Sequence, residues 1–104
     1  MLFLRCMVYA KRDIIDGLRR FKEQNGEKYG ILALGLYGSY ARDEQHPGSD
    51  IDVAVLLARP SFFNLIPMEE EMQRSIAREI NLISLGLSSD SQFKRNIEKD
   101  ILYV

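Results

Sequence analysis

Two nearly continuous apolar runs, residues 30–37 and 51–57, bracket a polar segment that opens with Gly38-Ser39 and closes with Ser49-Asp50. Runs of this length suit strands buried on both faces, or nearly so. The chain is therefore built on a sheet, and the connection between these strands carries its chemistry. Ser39 reads as the cap of a short helix through about Gln45, and Pro47-Gly48 as a turn. Upstream, Ile14, Leu18 and Phe21, with Ile15 beside them, give residues 11–24 one apolar helical face, and Asn25-Gly26 is a stop signal. Downstream, residues 58–66 read as a loop. Pro67 then opens a helix with Glu69, Glu70 and Glu71 at its positive end and Met72, Ile76 and Ile80 as its stripe. Residues 79–85 alternate as a third strand. Ser89 or Asp90 caps a last helix with Phe93, Ile97 and Ile101 on one face. This order describes a small α/β or α+β domain with three or four strands, whose sheet order the pattern leaves open.

The 104 residues suit one domain, 1–104, in which residues 1–10 are a helical extension or a disordered tail. That apolar N-terminal run is split by Arg5, is too short to span a bilayer and lacks a signal-peptide layout. Met7 is an alternative natural start. A net charge of −1 supplies no overall field for a nucleic acid backbone. The one cysteine, Cys6, forms no internal disulfide, which fits a reducing cytoplasm.

Asp50 and Asp52 lie two residues apart where the second strand begins, so both point to one face, with Cα atoms roughly 6.5–7 Å apart. Carboxylates held so close repel, and a divalent cation between them resolves the conflict. Mg²⁺ takes one or two carboxylates together with phosphate oxygens and water. A solvated acidic turn is the plain alternative for Asp-X-Asp, and a simple serine cap after a glycine turn is the alternative for Gly38-Ser39. Together the two motifs form a phosphate cradle and a metal pair on adjacent strands, a geometry for a metal-bound triphosphate.

Leu36-Tyr37-Gly38-Ser39-Tyr40-Ala41-Arg42, followed after residues 43–49 by Asp50-Ile51-Asp52-Val53, resembles the signature of the DNA polymerase β-like nucleotidyltransferase superfamily. Ala41-Arg42 and the short length resemble its minimal nucleotidyltransferases, and the resemblance extends to Asp100-Ile101-Leu102-Tyr103. It implies an α+β nucleotidyltransferase fold: a small mixed sheet with helices mainly on one face. It also implies transfer of a nucleoside monophosphate, AMP from ATP, to a hydroxyl acceptor, with two Mg²⁺ ions clamping the reacting groups. Asp50 and Asp52 would be the catalytic metal ligands. Gly38 and Ser39 would hold the β- and γ-phosphates. Arg42 would neutralise phosphate or contact the acceptor, unless it is a surface arginine, and Ser49 would cap the turn and orient Asp50. Proteins of this group are often paired with HEPN-domain toxins, and the acceptor is then a tyrosine of that partner.

The family has a third carboxylate on the next strand; the matching stretch here is Ile80-Asn81-Leu82-Ile83. Asn81 offers a metal one neutral oxygen and cannot act as a base. Glu79, two positions earlier, is the alternative acid. Asp43 stands where many relatives have glycine. His46 reads as a surface residue in a turn, and Arg74, Arg78, Lys94, Arg95 and Lys99 as solvated helix faces. Three readings remain: an active transferase, an antitoxin that only binds its partner, or the small subunit of a two-part transferase. The mild acidity and the short chain argue against nucleic-acid polymerisation.

Overall fold

The computed structural model describes residues 10–87 and 91–104. Helix α1 (Lys11–Tyr29) leads into β1 (Ile31–Tyr37), then β2 (Ile51–Leu57), α2 (Phe62–Ile76), β3 (Ile80–Ser84), α3 (Ser91–Asp100) and β4 (Leu102–Tyr103). The sheet order is β3-β2-β1-β4. β1 is antiparallel to β2 and β4, whereas β2 and β3 run parallel. The sheet is thus mixed, and the fold is α+β.

Alternation along the strands splits the sheet into two faces. Leu34, Leu36, Ile51, Val53, Val55, Ile80 and Leu82 turn toward α1 and α2 and meet Ile14, Leu18, Phe21, Met68, Met72 and Ile76. Each large side chain buried there contributes about 1.5–3 kcal/mol. Among the described residues the opposite face is covered by short α3, through Ile97, and by Ile101 just after it, against Tyr37, Ala54, Ile83 and Leu85. β1 is not buried throughout. Its register shifts between Ile31 and Ala33, and Leu32 is 61% exposed.

Four sequence expectations shift. First, Asn25-Gly26 does not end α1. The Asn25 amide bonds back to the Phe21 carbonyl, and Lys28 and Tyr29 both donate to Glu71 of α2, which holds one further turn. The left-handed cap is Gly30 (φ 67°). Second, α2 starts before Pro67. Ser61 is extended and its Oγ accepts from Phe63 N, so the serine cap rather than the proline sets the start. Pro67 lies inside the helix, after an exposed turn at Phe63 and Ile66. Third, β3 begins at Ile80, because Gln73 Oε1 accepts from Ile80 N and Glu69 Oε2 from Leu82 N along its outer edge. Fourth, no helix forms over residues 39–45, where burial of Tyr40 and a left-handed Asp43 leave only a turn. The cap at Ser89 or Asp90, the N-terminal run and Cys6 lie outside the described residues.

α2 ends on Ala77 in the left-handed conformation (φ 62°), where its N–H bonds to Gln73 O. Alanine there pays a Cβ penalty that glycine avoids. Ala77→Gly should stabilise the protein by about 1 kcal/mol and raise the thermal midpoint by roughly 4–8 °C. Calorimetry checks this; an unchanged or lower midpoint would contradict it.

Candidate active site

Strand pairing assembles the site. Tyr37 of β1 is opposite Asp52 of β2, and Asp52 is opposite Asn81 of β3. These three residues sit side by side on the thinly covered face. Asp50 precedes the strand by one residue, on the same side as Asp52. The Asn81 amide Nδ2 lies 3.4 Å from Asp50 Oδ2 and 3.3 Å from Asp52 Oδ1. An open cleft of about 480 Å³ is lined by Ser39, Arg42, Ser49, Asp50, Asp52 and Asn81, together with Glu44, His46 and Gly48. Glu79 does not join them: it lines a separate groove with Glu70, Gln73, Arg74 and Arg78.

Gly38 connects the two motifs physically. Its φ is +76°, and a Cβ there would collide with Asp52 Oδ2 and come within 3.2 Å of Asp52 Cβ and Cγ. Only glycine lets the turn lie against the Asp52 side chain. Beyond Gly38 the chain makes a single turn instead of a helix: Arg42 N bonds to Gly38 O, Asp43 N to Tyr40 O, and Glu44 N to Ser39 O. Two features stop propagation. Tyr40 is drawn into the core at 3% exposure, and Asp43 adopts φ 59°. A left-handed position favours glycine, which has no Cβ. Here Lys11 holds Asp43 instead, at 3.1 Å, and also donates to Ala41 O. A phosphate at this turn would meet local backbone N–H groups rather than a helix terminus.

The second rim is a turn over His46-Pro47-Gly48-Ser49. Ser49 N bonds to His46 O, Ser49 Oγ accepts from His46 N, and Gly48 has φ 90°. Ser49 is 7% exposed, which matches a turn-capping role beside Asp50. His46 is exposed, with Nδ1 against the Pro47 carbonyl. Arg42 reaches both Glu44 and Asp100, the last residue of α3. These carboxylates, Glu44 foremost, raise its already high pKa. Arg42 therefore ties the first turn to α3 at the cleft edge.

Arg78 is the residue that sequence reasoning missed. Expected on a solvated helix face, it instead donates to the Ser49 carbonyl at 2.8 Å and lies over the Tyr40 ring. It thus braces both turns. The available signal was positional: Arg78 follows the helix stop and precedes β3, at the sheet end that carries Asp50. If the cleft takes a metal-bound nucleotide, Arg78→Ala should weaken that binding about tenfold by freeing the Asp50 turn, with the fold retained. Isothermal titration with circular dichroism checks this; unchanged affinity would remove the bracing role.

Burial, and secondarily the Asp52 carboxylate, push the Tyr37 phenol up to about 12. An acid whose pKa rises on folding contributes stability fully present below its unfolded value, near 10, and lost as pH climbs toward 12. In a phenolate absorbance titration read against Tyr37→Phe, Tyr37 should ionise near 12, and Asp52→Asn should lower that midpoint part-way. A midpoint of 10 in the wild type would contradict the burial.

The donors on offer are two carboxylates and, with the Asn81 amide turned over, its oxygen, all hard ligands that suit Mg²⁺ or Mn²⁺ rather than a thiophilic ion. Among the described residues no group of three His, Cys, Asp or Glu side chains converges. The residues fit a divalent ion that arrives with phosphate oxygens.

A family model described as a nucleotidyltransferase domain matches residues 18–104, which span this entire site. The chain belongs to the nucleotidyltransferase domain family. Among its relatives is MJ0128 of Methanocaldococcus jannaschii, provisionally named a protein adenylyltransferase. It is 32% identical over 93 residues, covering 88% of this chain and 95% of the relative. Two solved structures share the nucleotidyltransferase fold. One, a toxin–antitoxin crystal structure with AMP-PNP, has a TM-score of 0.68 at 21% identity, covering 91% of this chain and 72% of the other. The second is a tri-AMPylated Shewanella oneidensis HEPN toxin in complex with an MNT antitoxin. Its TM-score is 0.59 at 18% identity, covering 90% and 67%. Among the described residues of this nucleotidyltransferase, no helix is long and apolar enough to cross a membrane.

Proposed function

We propose that this nucleotidyltransferase moves AMP from ATP to a tyrosine hydroxyl of a HEPN-domain toxin, acting as its antitoxin in the cytoplasm. The observation that carries this reading is the convergence of Asp50, Asp52 and Asn81 beside the Gly38-Ser39 turn. The adenylyltransferase name of a 32%-identical relative and the AMPylated toxin in a fold neighbour support the donor and the acceptor.

The acceptor hydroxyl gives up its proton to solvent, its oxygen bonds to the α-phosphorus, the bridge to the β-phosphate breaks, and pyrophosphate leaves with the bonding electron pair. A bound divalent cation supplies charge neutralisation for the triphosphate. Asp50 and Asp52 hold that ion. The Gly38 backbone, lacking a Cβ, lets phosphate approach closely, and the Ser39 hydroxyl donates to it. Ser49 and Arg78 fix Asp50, and Arg42 at the rim offers positive charge to phosphate. With labelled ATP, Mg²⁺ and the HEPN protein, label should appear on a tyrosine of the partner. Absence of label on the HEPN chain under saturating nucleotide would refute transfer.

The neutral Asn81 favours a second reading, in which the domain neutralises its partner by binding alone. The double variant Asp50→Ala, Asp52→Ala separates the two. Full neutralisation without label transfer supports binding; lost neutralisation within an intact complex supports chemistry.

A further inference from the structure

We propose that Asn81 makes this a one-cation site: a single divalent ion enters with the nucleotide, held by Asp50, Asp52 and the Asn81 side-chain oxygen. The inference rests on the metal–nucleotide reading of the cleft and concerns how many ions that site takes. Three side chains from two neighbouring strands converge on one point, since a single amide nitrogen reaches both carboxylates, at 3.4 and 3.3 Å. Both contacts lie at the long end of the hydrogen-bond range, and both acceptors are anionic. A half-turn of the amide exchanges nitrogen for oxygen at the same place. A cation between the carboxylates therefore meets a third hard oxygen with no movement of the backbone.

The charge count then limits occupancy. Asp50 and Asp52 carry two negative charges between them, and Asn81 carries none at any pH. One divalent ion neutralises that pair. The nucleotide's phosphates carry one ion in; a second, away from those phosphates, would need a further acid, and none is at hand among the described residues. Glu44 lines the same cleft but is committed to Arg42, and Glu79 lines a different groove. Among the described residues no third acidic, histidine or cysteine ligand joins the pair. Arg42 at the rim and Arg78 behind Ser49 add positive charge that opposes a further cation. The phosphates are then held through one ion, and the acceptor hydroxyl must be oriented by protein groups.

The test counts ions rather than turnover. The protein is saturated with AMP-PNP and titrated with Mn²⁺, and bound metal is read by electron paramagnetic resonance. The wild type should bind one Mn²⁺ per chain and Asn81→Asp two. Two ions in the wild type would overturn the inference and leave the nucleotide site standing. No Mn²⁺ and no AMP-PNP bound would remove both. One ion in Asn81→Asp would show that residue 81 does not set the count, and this too overturns the proposal. If Asn81→Asp fails to fold by circular dichroism, the wild-type count still decides, and Asn81→Glu repeats the comparison.

Discussion

Asp52→Ala should lower AMP transfer by at least about three orders of magnitude while the protein stays folded. A metal-assisted transfer draws several kcal/mol of transition-state stabilisation from its ion, and each 1.36 kcal/mol is about tenfold in rate. Asp52 sits at the middle of the site, in register with Tyr37 on one side and Asn81 on the other. No other carboxylate on β2 replaces it, because Asp50 precedes the strand and is held by the Ser49 turn. The fold should tolerate the loss. The substitution removes a like-charge neighbour of Asp50, and Asn81 keeps its contact with Asp50. Transfer of labelled AMP and a thermal unfolding curve together check the prediction. A rate within tenfold of wild type, or a protein that no longer folds, would contradict it.

Gly38→Ala should be nearly as damaging, through geometry alone. The new methyl collides with Asp52 Oδ2, and the backbone must hold an alanine at φ +76°. The strained backbone costs about 1–3 kcal/mol, and relief of the collision must displace the Asp52 carboxylate from its present position in the site. Nucleotide binding should be lost with it. The two causes separate in a double-mutant cycle. In an Asp52→Ala background the carboxylate is gone, so Gly38→Ala should cost the backbone term and only the lesser crowding against the Cβ that remains. The coupling between the two sites should lie in the range of about 0.5–3 kcal/mol, measured by denaturant unfolding. Zero coupling would mean that Gly38 and Asp52 do not touch as described.

Most of the site's residues were legible in the sequence because its two motifs are local. Gly38-Ser39 closes one apolar run, and Asp50-Ile51-Asp52 opens the next, so period two alone puts both acids on one face. The resemblance put Asn81 at the position of the family's third acid; what the structure adds is its place beside Asp52, set by the parallel pairing of β2 with β3. Three of the misses share one cause: a local signal was overruled by the tertiary fold. Asn25-Gly26 reads as a stop, yet Glu71, far along the chain, holds the next turn in place. Ser39 reads as a helix cap, yet burial of Tyr40 and the left-handed Asp43 close the turn at once. Arg78 reads as a surface cation, yet its partner is the carbonyl of Ser49. Charge and propensity are written in the chain; the identity of a partner many residues away is not.

The side chains of α2 that cap β3 also restrict how another protein can attach. The outward N–H groups of Ile80 and Leu82 are already taken by Gln73 and Glu69. A foreign strand approaching that border finds its donors spent and a carboxylate in the way. At the opposite border only two-residue β4 is on offer among the described residues. The sheet is thus closed to growth along β3. A partner chain would therefore have to attach by some means other than adding a strand along β3.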